Sequence, residues 1–561
     1  MTVEHLLITD KNRAVKTLIL SDFEQSESLE IANNLLRKIA TSLDSRQQRI
    51  SDLYSWKGFK LWWIYYEWIF VKYGLVYSKY QTLFQAFDDA SSVQGYVAQE
   101  SLRKLLEYEA YARNIPIALK GAPPSIKVFL KQCLPACLKF GMTLLCLPFL
   151  LLLRPKLALF TSDFFSPQGS FDFRKKNIYH AFEERNLAFL ECIRTLHSPQ
   201  KLWSQFLKRK RPVIYLDAVL NILESFDQGM ERFFPAWKQQ GRLPFESLIA
   251  LSVVRRRYWF NKGEILFLQI LLTKIGVRSM MIASLSPRTL HLMIACKRAS
   301  IKVVGIMHGV SMRTYVISEF MEAMESDYYA LSNDVYGVWS EGWIDYFNRY
   351  SKVLNKKLLH VSGFLRYEPT QKIHSAKYQS FRHAEAINVL WVSEPLLEFK
   401  EAEPYLEALL KQNDFHVLFK VRPNRDIILE TLRKQRPDLL EKMVVLDCPI
   451  DEAIVVSDVV VGSNSTGVLD GLRYDKPMIT FKSRKWGDYF DIVDYHRLPH
   501  IYSESIEQLI EHIRNAKQIP AKHIQQLKHF FFDIHERDGG KWIVDRMQEF
   551  AQNPRKKRLT N

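Results

Sequence analysis

The sequence predicts an α/β protein of two facing parallel-sheet domains, with a helical, aromatic-rich insertion in its N-terminal half. Three observations lead there. Short, almost wholly apolar runs such as KVVGIM (302–307) and VVVG (459–462) read as strands buried on both faces of a parallel sheet. Amphipathic stretches of helical period separate them, which is the rhythm of doubly wound, Rossmann-like sheets. The chain has 561 residues, too many for one hydrophobic core.

Along the chain, KTLILSDF (16–23) reads as a first strand and 26–42 as a helix. Residues 50–155 break the rhythm and form the insertion. Within it, 56–80 mixes Trp and Tyr with Lys57, Lys60, Lys72 and Lys79, the chemistry of a membrane interface. FGMTLLCLPFLLLL (140–153) is strongly apolar, shorter than the roughly twenty residues that span a bilayer, and Pro148 would kink it. Attachment to a membrane surface is the expectation; two core helices, or a span, are the alternatives. Strands are then expected in 157–165, in the segment after the helix at 173–186, and in 212–218, 277–286, 301–309, 336–341 and 358–364. A polar stretch from 366 to 386 marks the boundary to a second unit, whose strands are INVLWV, HVLFKV, MVVLD, DVVVG and PMITF. The expected domains are 1–375, 376–505 and a C-terminal helical segment with a basic tail, 506–561.

Apolar residues make up 47% and charged residues 25%, a globular balance. The net charge of +17 favours anionic partners: nucleic acid, acidic lipid headgroups or nucleotide-activated substrates. Basic residues are spread out, apart from Lys208–Arg211, Arg255–Arg257 and the tail, which argues against a dedicated nucleic-acid face. The six cysteines form no CxxC pair and no zinc spacing, so no metal is expected and a reducing compartment is. The N-terminus has no secretory signal, so the expected location is the cytoplasm, peripheral on the inner face of the cell membrane. GxGxxG, Walker A, HExxH and GxSxG are all absent.

Ligands of open α/β sheets bind beyond the carboxyl ends of strands. Three such ends carry chemistry. His308-Gly309 follows KVVGIM; a His there is placed to take a proton from an acceptor hydroxyl. Lys420, Arg422, Asn424 and Arg425 follow HVLF, and suit a phosphate or pyrophosphate. Ser463, Asn464, Ser465 and Thr466 follow VVVG and open a helix, whose N–H groups and hydroxyls suit an anion. Asp470 lies about a turn inside, positioned to hold a ribose hydroxyl or to fix the loop. Asp163, Asp172 and Arg174 follow an N-terminal strand and are candidates for the acceptor side. The bland readings are a strand-capping His, a solvated basic loop and an ordinary Ser/Thr N-cap.

This set resembles the bacterial CDP-glycerol glycerophosphotransferases of teichoic acid synthesis and the related capsule polysaccharide transferases. The parallels are His308-Gly309, Lys420-x-Arg422-Pro423, and Ser465-Thr466 with Asp470 and Lys476-Pro477, over roughly 300–490. Arg422 stands where that family has His, and Ser463-Asn464 where it has Asp-Tyr. The resemblance implies a GT-B-type transferase of surface polysaccharide (capsule, lipopolysaccharide or teichoic acid). Its donor would be a nucleotide sugar or nucleotide-linked polyol, its acceptor lipid-linked or glycan. It implies direct displacement with His308 as base, and no cofactor beyond the donor. A nucleotide-sugar epimerase of the same two-domain shape, and a non-catalytic membrane- or nucleic-acid-binding protein, are the competing readings.

Overall fold

A computed structural model describes residues 4–25, 27–43, 47–121, 126–162, 171–195, 198–209, 211–223, 244–283, 289–307, 309–310, 312, 331–351, 357–366, 379–394, 397–422, 426–484 and 486–552. The chain divides into two compact units: Met1–Gly305 with Ala323–Val335 and Val544–Asn561, and Ile306–Glu322 with Tyr336–Ile543.

The first unit begins with a four-stranded mixed sheet. Strands β1 (His5–Asp10) and β2 (Val15–Ile19) form an antiparallel hairpin. Strands β3 (Ala90–Tyr96) and β4 (Ile117–Lys120) complete the order β2-β1-β3-β4. KTLILSDF therefore contributes to this small sheet and not to a Rossmann sheet, and segment 50–155 carries strands as well as helices. The helix Leu29–Thr41 falls where its period places it, capped by the Ser28 hydroxyl. The aromatic helix Trp62–Ile69 is core: Trp62, Trp63, Tyr65 and Tyr66 are all buried. Composition alone cannot separate a ring in a core from one at a lipid interface, and here the core claims them.

Five parallel strands follow: β5 (Leu157–Ser162), β6 (Phe189–Arg194), β7 (Val213–Tyr215), β8 (Ser279–Met281) and β9 (Lys302–Ile306). They lie in the order β9-β8-β5-β6-β7. Helices α1 (Ile126–Leu153), α2 (Pro199–Lys208) and α3 (Phe245–Ile275) belong to this unit. The helix Gly539–Gln552 returns to it late in the chain, through Arg185 on Asp545 (2.7 Å) and Arg278 on the Ala551 carbonyl (3.3 Å).

The second unit holds the parallel pair β10 (Val335–Val338) and β11 (Leu359–Val361). Its main body is a six-stranded, all-parallel sheet of β12 (Ile387–Val392), β13 (Phe415–Lys420), β14 (Val444–Leu446), β15 (Val459–Gly462), β16 (Met478–Phe481) and β17 (Tyr502–Ser503). The order is β14-β13-β12-β15-β16-β17. The α/β class with parallel, Rossmann-like sheets is thus borne out. The order also locates a crevice: the chain winds outward from β12 on one side and from β15 on the other, so their carboxyl ends meet at the reversal point, where such sheets bind ligands.

Candidate functional site

Two adjacent strands deliver the site's inner wall. β12 ends in Ser393-Glu394, and β15 ends in Ser463-Asn464-Ser465, which lead into helix α4 (Thr466–Arg473). Glu394 is 3% exposed. Its carboxylate accepts the backbone N–H of Ser463, the Ser463 hydroxyl (2.6 Å) and the backbone N–H of Asn464 (2.9 Å). The side chain thus takes N–H groups that a helix-start loop would otherwise offer to an external anion. Burial pushes its pKa up to about 7, against the opposing pull of these hydrogen bonds. Gly462 is what lets the carboxylate approach: a Cβ there would stand 2.5 Å from Glu394 Oε1 and 2.5 Å from Val468 Cγ2.

Asn464 points differently. It is 5% exposed, and neither its Oδ1 nor its Nδ2 has a hydrogen-bond partner among the described residues. A buried carboxamide with a free donor and a free acceptor is costly, and calls for a ligand or water to satisfy it. Ser465 is the N-cap, its hydroxyl accepting from Gly467 N–H at 3.2 Å. The Thr466 hydroxyl accepts from the Arg366 guanidinium at 3.3 Å. Asp470, 3% exposed, lies one turn further on. Burial raises its pKa to about 6, while Arg366 and Arg473 pull the other way.

The neighbouring strand end is built around Asp426, the N-cap of the helix Ile427–Gln435. Its carboxylate accepts from Ser393 Oγ (2.9 Å), Leu429 N–H (3.0 Å) and Arg422 N–H (3.1 Å), tying the end of β12 to the loop after β13. Lys420 is buried and donates to the Val421 carbonyl; burial lowers its pKa, with Cys448, Asp447 and Asp426 opposing. Burial lowers Arg422 too, against Asp426. Asn424 and Arg425 lie outside the described residues. Lys476 donates to the Ser457 carbonyl at 2.7 Å.

In the first unit, Asp172 closes a knot at the end of β5. It accepts from Thr161 Oγ1 (3.3 Å), Ser162 Oγ (3.3 Å) and the backbone and guanidinium of Arg174 (3.1–3.2 Å), with Lys175 at 3.8 Å. Burial pushes its carboxyl up, but Lys175 and Arg174 outweigh this and hold it below the usual value. Asp172 is therefore an engaged anion. Burial takes Lys175 down to about 8. Asp163 lies outside the described residues. So does His308, although the chain is described up to Met307. There the backbone N–H reaches the Gly337 carbonyl (2.8 Å), and the Met307 carbonyl accepts from Trp339 Nε1 (2.6 Å).

Sequence reasoning missed Glu394, Arg366 and Asp426. Glu394 stands at a strand's carboxyl end in the run WVSEP, which was the available signal. A second buried clasp, also missed, occurs in the first unit. Glu264 on α3 accepts from Asp217 N–H (2.9 Å) and Leu220 N–H (3.1 Å) after β7, and burial lifts it to about 8.

No protein-family model and no curated protein matches the sequence. Among solved structures, the chain is similar to a glycosyltransferase from Rickettsia africae, at 12% identity over 72% of this chain and 99% of that one, TM-score 0.44. It is similar to the wall teichoic acid polymerase TagF soaked with CDPG, at 11% identity over 74% and 98%, TM-score 0.39. It is also similar to a UDP-GlcNAc 2-epimerase from Methanocaldococcus jannaschii, at 10% identity over 70% and 99%, TM-score 0.41. At such low scores, the chemistry has to be argued from this chain's own residues.

Proposed function

We propose that the chain is a transferase that takes a glycosyl or polyol-phosphate group from a nucleotide-activated donor during synthesis of a surface polysaccharide. The observation that carries this is the buried Asn464 carboxamide, without a hydrogen-bond partner among the described residues, at the point where the strand order reverses. Around it stand groups suited to a nucleotide: the Thr466 hydroxyl, the Arg366 guanidinium and the start of α4 for phosphate, and Asp470 for a ribose hydroxyl. Ser463 has a different task. With its hydroxyl and N–H on Glu394, it holds the loop in shape while Asn464, Ser465 and Thr466 meet the donor. Lys420 and Arg422 carry leaving-group charge in company with Asn424 and Arg425. His308 takes the acceptor's proton as the acceptor oxygen bonds to the transferred group, and the bond to the nucleotide's phosphate oxygen breaks.

Asn464→Ala and Arg366→Ala are each expected to weaken nucleotide binding by about 1.5–3 kcal/mol, the worth of a hydrogen bond to a charged group. Ser465→Ala and Arg422→Ala should act in the same direction. Calorimetry with CDP, UDP and GDP measures this, and unchanged affinity in all four variants would remove the site. Function is tested by incubating the protein with CDP-glycerol and a panel of nucleotide sugars, with and without a membrane-extract acceptor. Acceptor-dependent release of nucleotide supports transfer. Interconversion of the sugar without any acceptor would establish an epimerase instead.

A further inference from the structure

The first unit carries apolar surface that nothing described covers. Helix α1 has two unlike faces. Its inner face is sewn to the parallel sheet: Lys139, 4% exposed, donates to the Thr195 carbonyl at 2.6 Å, and the Thr143 hydroxyl accepts the Tyr215 N–H at 3.0 Å. Its outer face presents Leu134, Leu145, Phe149 and Leu152, at 53%, 59%, 64% and 82% exposure. Helix α3 touches α1, with the Phe140 and Phe267 rings 5.8 Å apart. It adds a stripe of its own at helical spacing: Trp259, Leu266 and Ile270.

Cations stand at the borders of this surface. Arg154 and Lys156, both exposed, follow α1 directly, and Lys274 is exposed in the last turn of α3. At the other end of the α3 stripe, the Lys262 ammonium lies 4.2 Å from the Trp259 ring centroid and 4.5 Å from that of Tyr258. The Arg298 guanidinium lies 4.3 Å from Trp56. The sequence 126–153 contains no Asp or Glu. Apolar side chains bordered by Trp, Tyr, Lys and Arg match the boundary between acyl chains and anionic headgroups.

We propose that the outer face of α1 and the Trp259–Ile270 stripe of α3 form a docking surface for an anionic lipid bilayer, on which the protein rests without crossing it. The occupant follows from charge. A second copy placed symmetrically on this face would set cations against cations, whereas an anionic leaflet neutralises them. Lying flat follows from the inner face. The segment Cys133–Leu153 is long enough to span, but as a span it would pull Lys139 and Thr143 away from their partners and place an ammonium in hydrocarbon. The proposal stands apart from the donor site, since vesicle binding is read without turnover.

The test uses the full chain, sedimented with vesicles of phosphatidylcholine alone or of phosphatidylcholine with phosphatidylglycerol. Binding to the mixed vesicles, weakened by salt, is expected. The paired variants Phe149→Glu/Leu152→Glu and Leu266→Glu/Ile270→Glu should each reduce it about tenfold to a hundredfold, as the loss of one or two buried apolar side chains dictates. Since these side chains are exposed, melting temperature should hold, which separates lost docking from lost folding. Equal binding to neutral vesicles, or undiminished binding by both variants, overturns the proposal. So does a wild-type protein that carbonate cannot strip from membranes, because that is a span. A dimer in lipid-free solution that the same variants dissociate would make the face a protein interface, and would overturn it too.

Discussion

Replacing Glu394 by alanine is expected to release the loop at the donor site and destabilise the second unit by on the order of 3–9 kcal/mol. The change orphans two backbone N–H groups and one hydroxyl in a site with almost no access to water, and each buried donor left unmade costs about 1–3 kcal/mol. Glu394→Gln is the finer probe. It keeps one oxygen acceptor but turns the other into an NH2 group facing donors, so a loss of about 1–3 kcal/mol is expected. Amide exchange over 459–467 reads the effect locally: the Ser463 and Asn464 amides, protected in the wild type, should exchange much faster in both variants. Unchanged protection would mean that the clasp does not hold the loop.

The same residue carries a pH signature. Its pKa of about 7 lies above the 4.5 of an unburied Glu, so the folded state binds the extra proton. The stability it contributes is present in full below pH 4.5 and is lost as pH rises through about 7, a change on the order of 3 kcal/mol. Glu264, raised to about 8, and Asp470, raised to about 6, shift in the same direction, so the wild-type profile sums all three. The difference between wild type and Glu394→Gln isolates one of them. That difference should slope between pH 4.5 and 7 and be flat above about 8; a flat difference throughout would show that Glu394 stays ionised.

The parallel strands were legible because burial on both faces leaves their sequences almost free of polar residues; Val459–Gly462 and Ile387–Val392 could scarcely be anything else. The loop Ser463–Thr466 was legible for a similar local reason, as small hydroxylic residues opening a helix. What escaped is what depends on strand order. Glu394 and Ser463 are 69 positions apart, and Arg366 and Thr466 are 100 apart. Without knowing that β12 lies beside β15, a Glu after a strand is one more surface charge. That is why a loop expected to offer its N–H groups outward proves to have some of them filled from within. The aromatic helix Trp62–Ile69 misled for the opposite reason: its composition is shared by two environments, and only the burial of Trp62 and Tyr65 decides between them. The apolar run 140–153 shows the converse, since its exposure survives folding on one side only.

His308→Ala is expected to lower turnover by about 10²–10⁴, the usual contribution of a positioned general base, or about 3–5 kcal/mol in the barrier. The motive is the strand that delivers it. β9 is buried along Val303–Ile306, and the next residue, Met307, is 1% exposed and bonded through both its N–H and its carbonyl. The described strand thus ends, one position before His308 in the sequence, at the sheet's carboxyl edge, where ligands of these sheets bind. If the role of His308 is chemical, nucleotide affinity and melting temperature should stay near wild type while kcat falls. The pH profile of kcat should also lose the limb set by the imidazole. A variant that unfolds would make His308 structural, and one with full turnover would remove it from the mechanism. The replacement would then be sought in Asp163 and not in Asp172, because Thr161, Ser162, Arg174 and Lys175 already engage that carboxylate, and the two cations hold its pKa below the usual value.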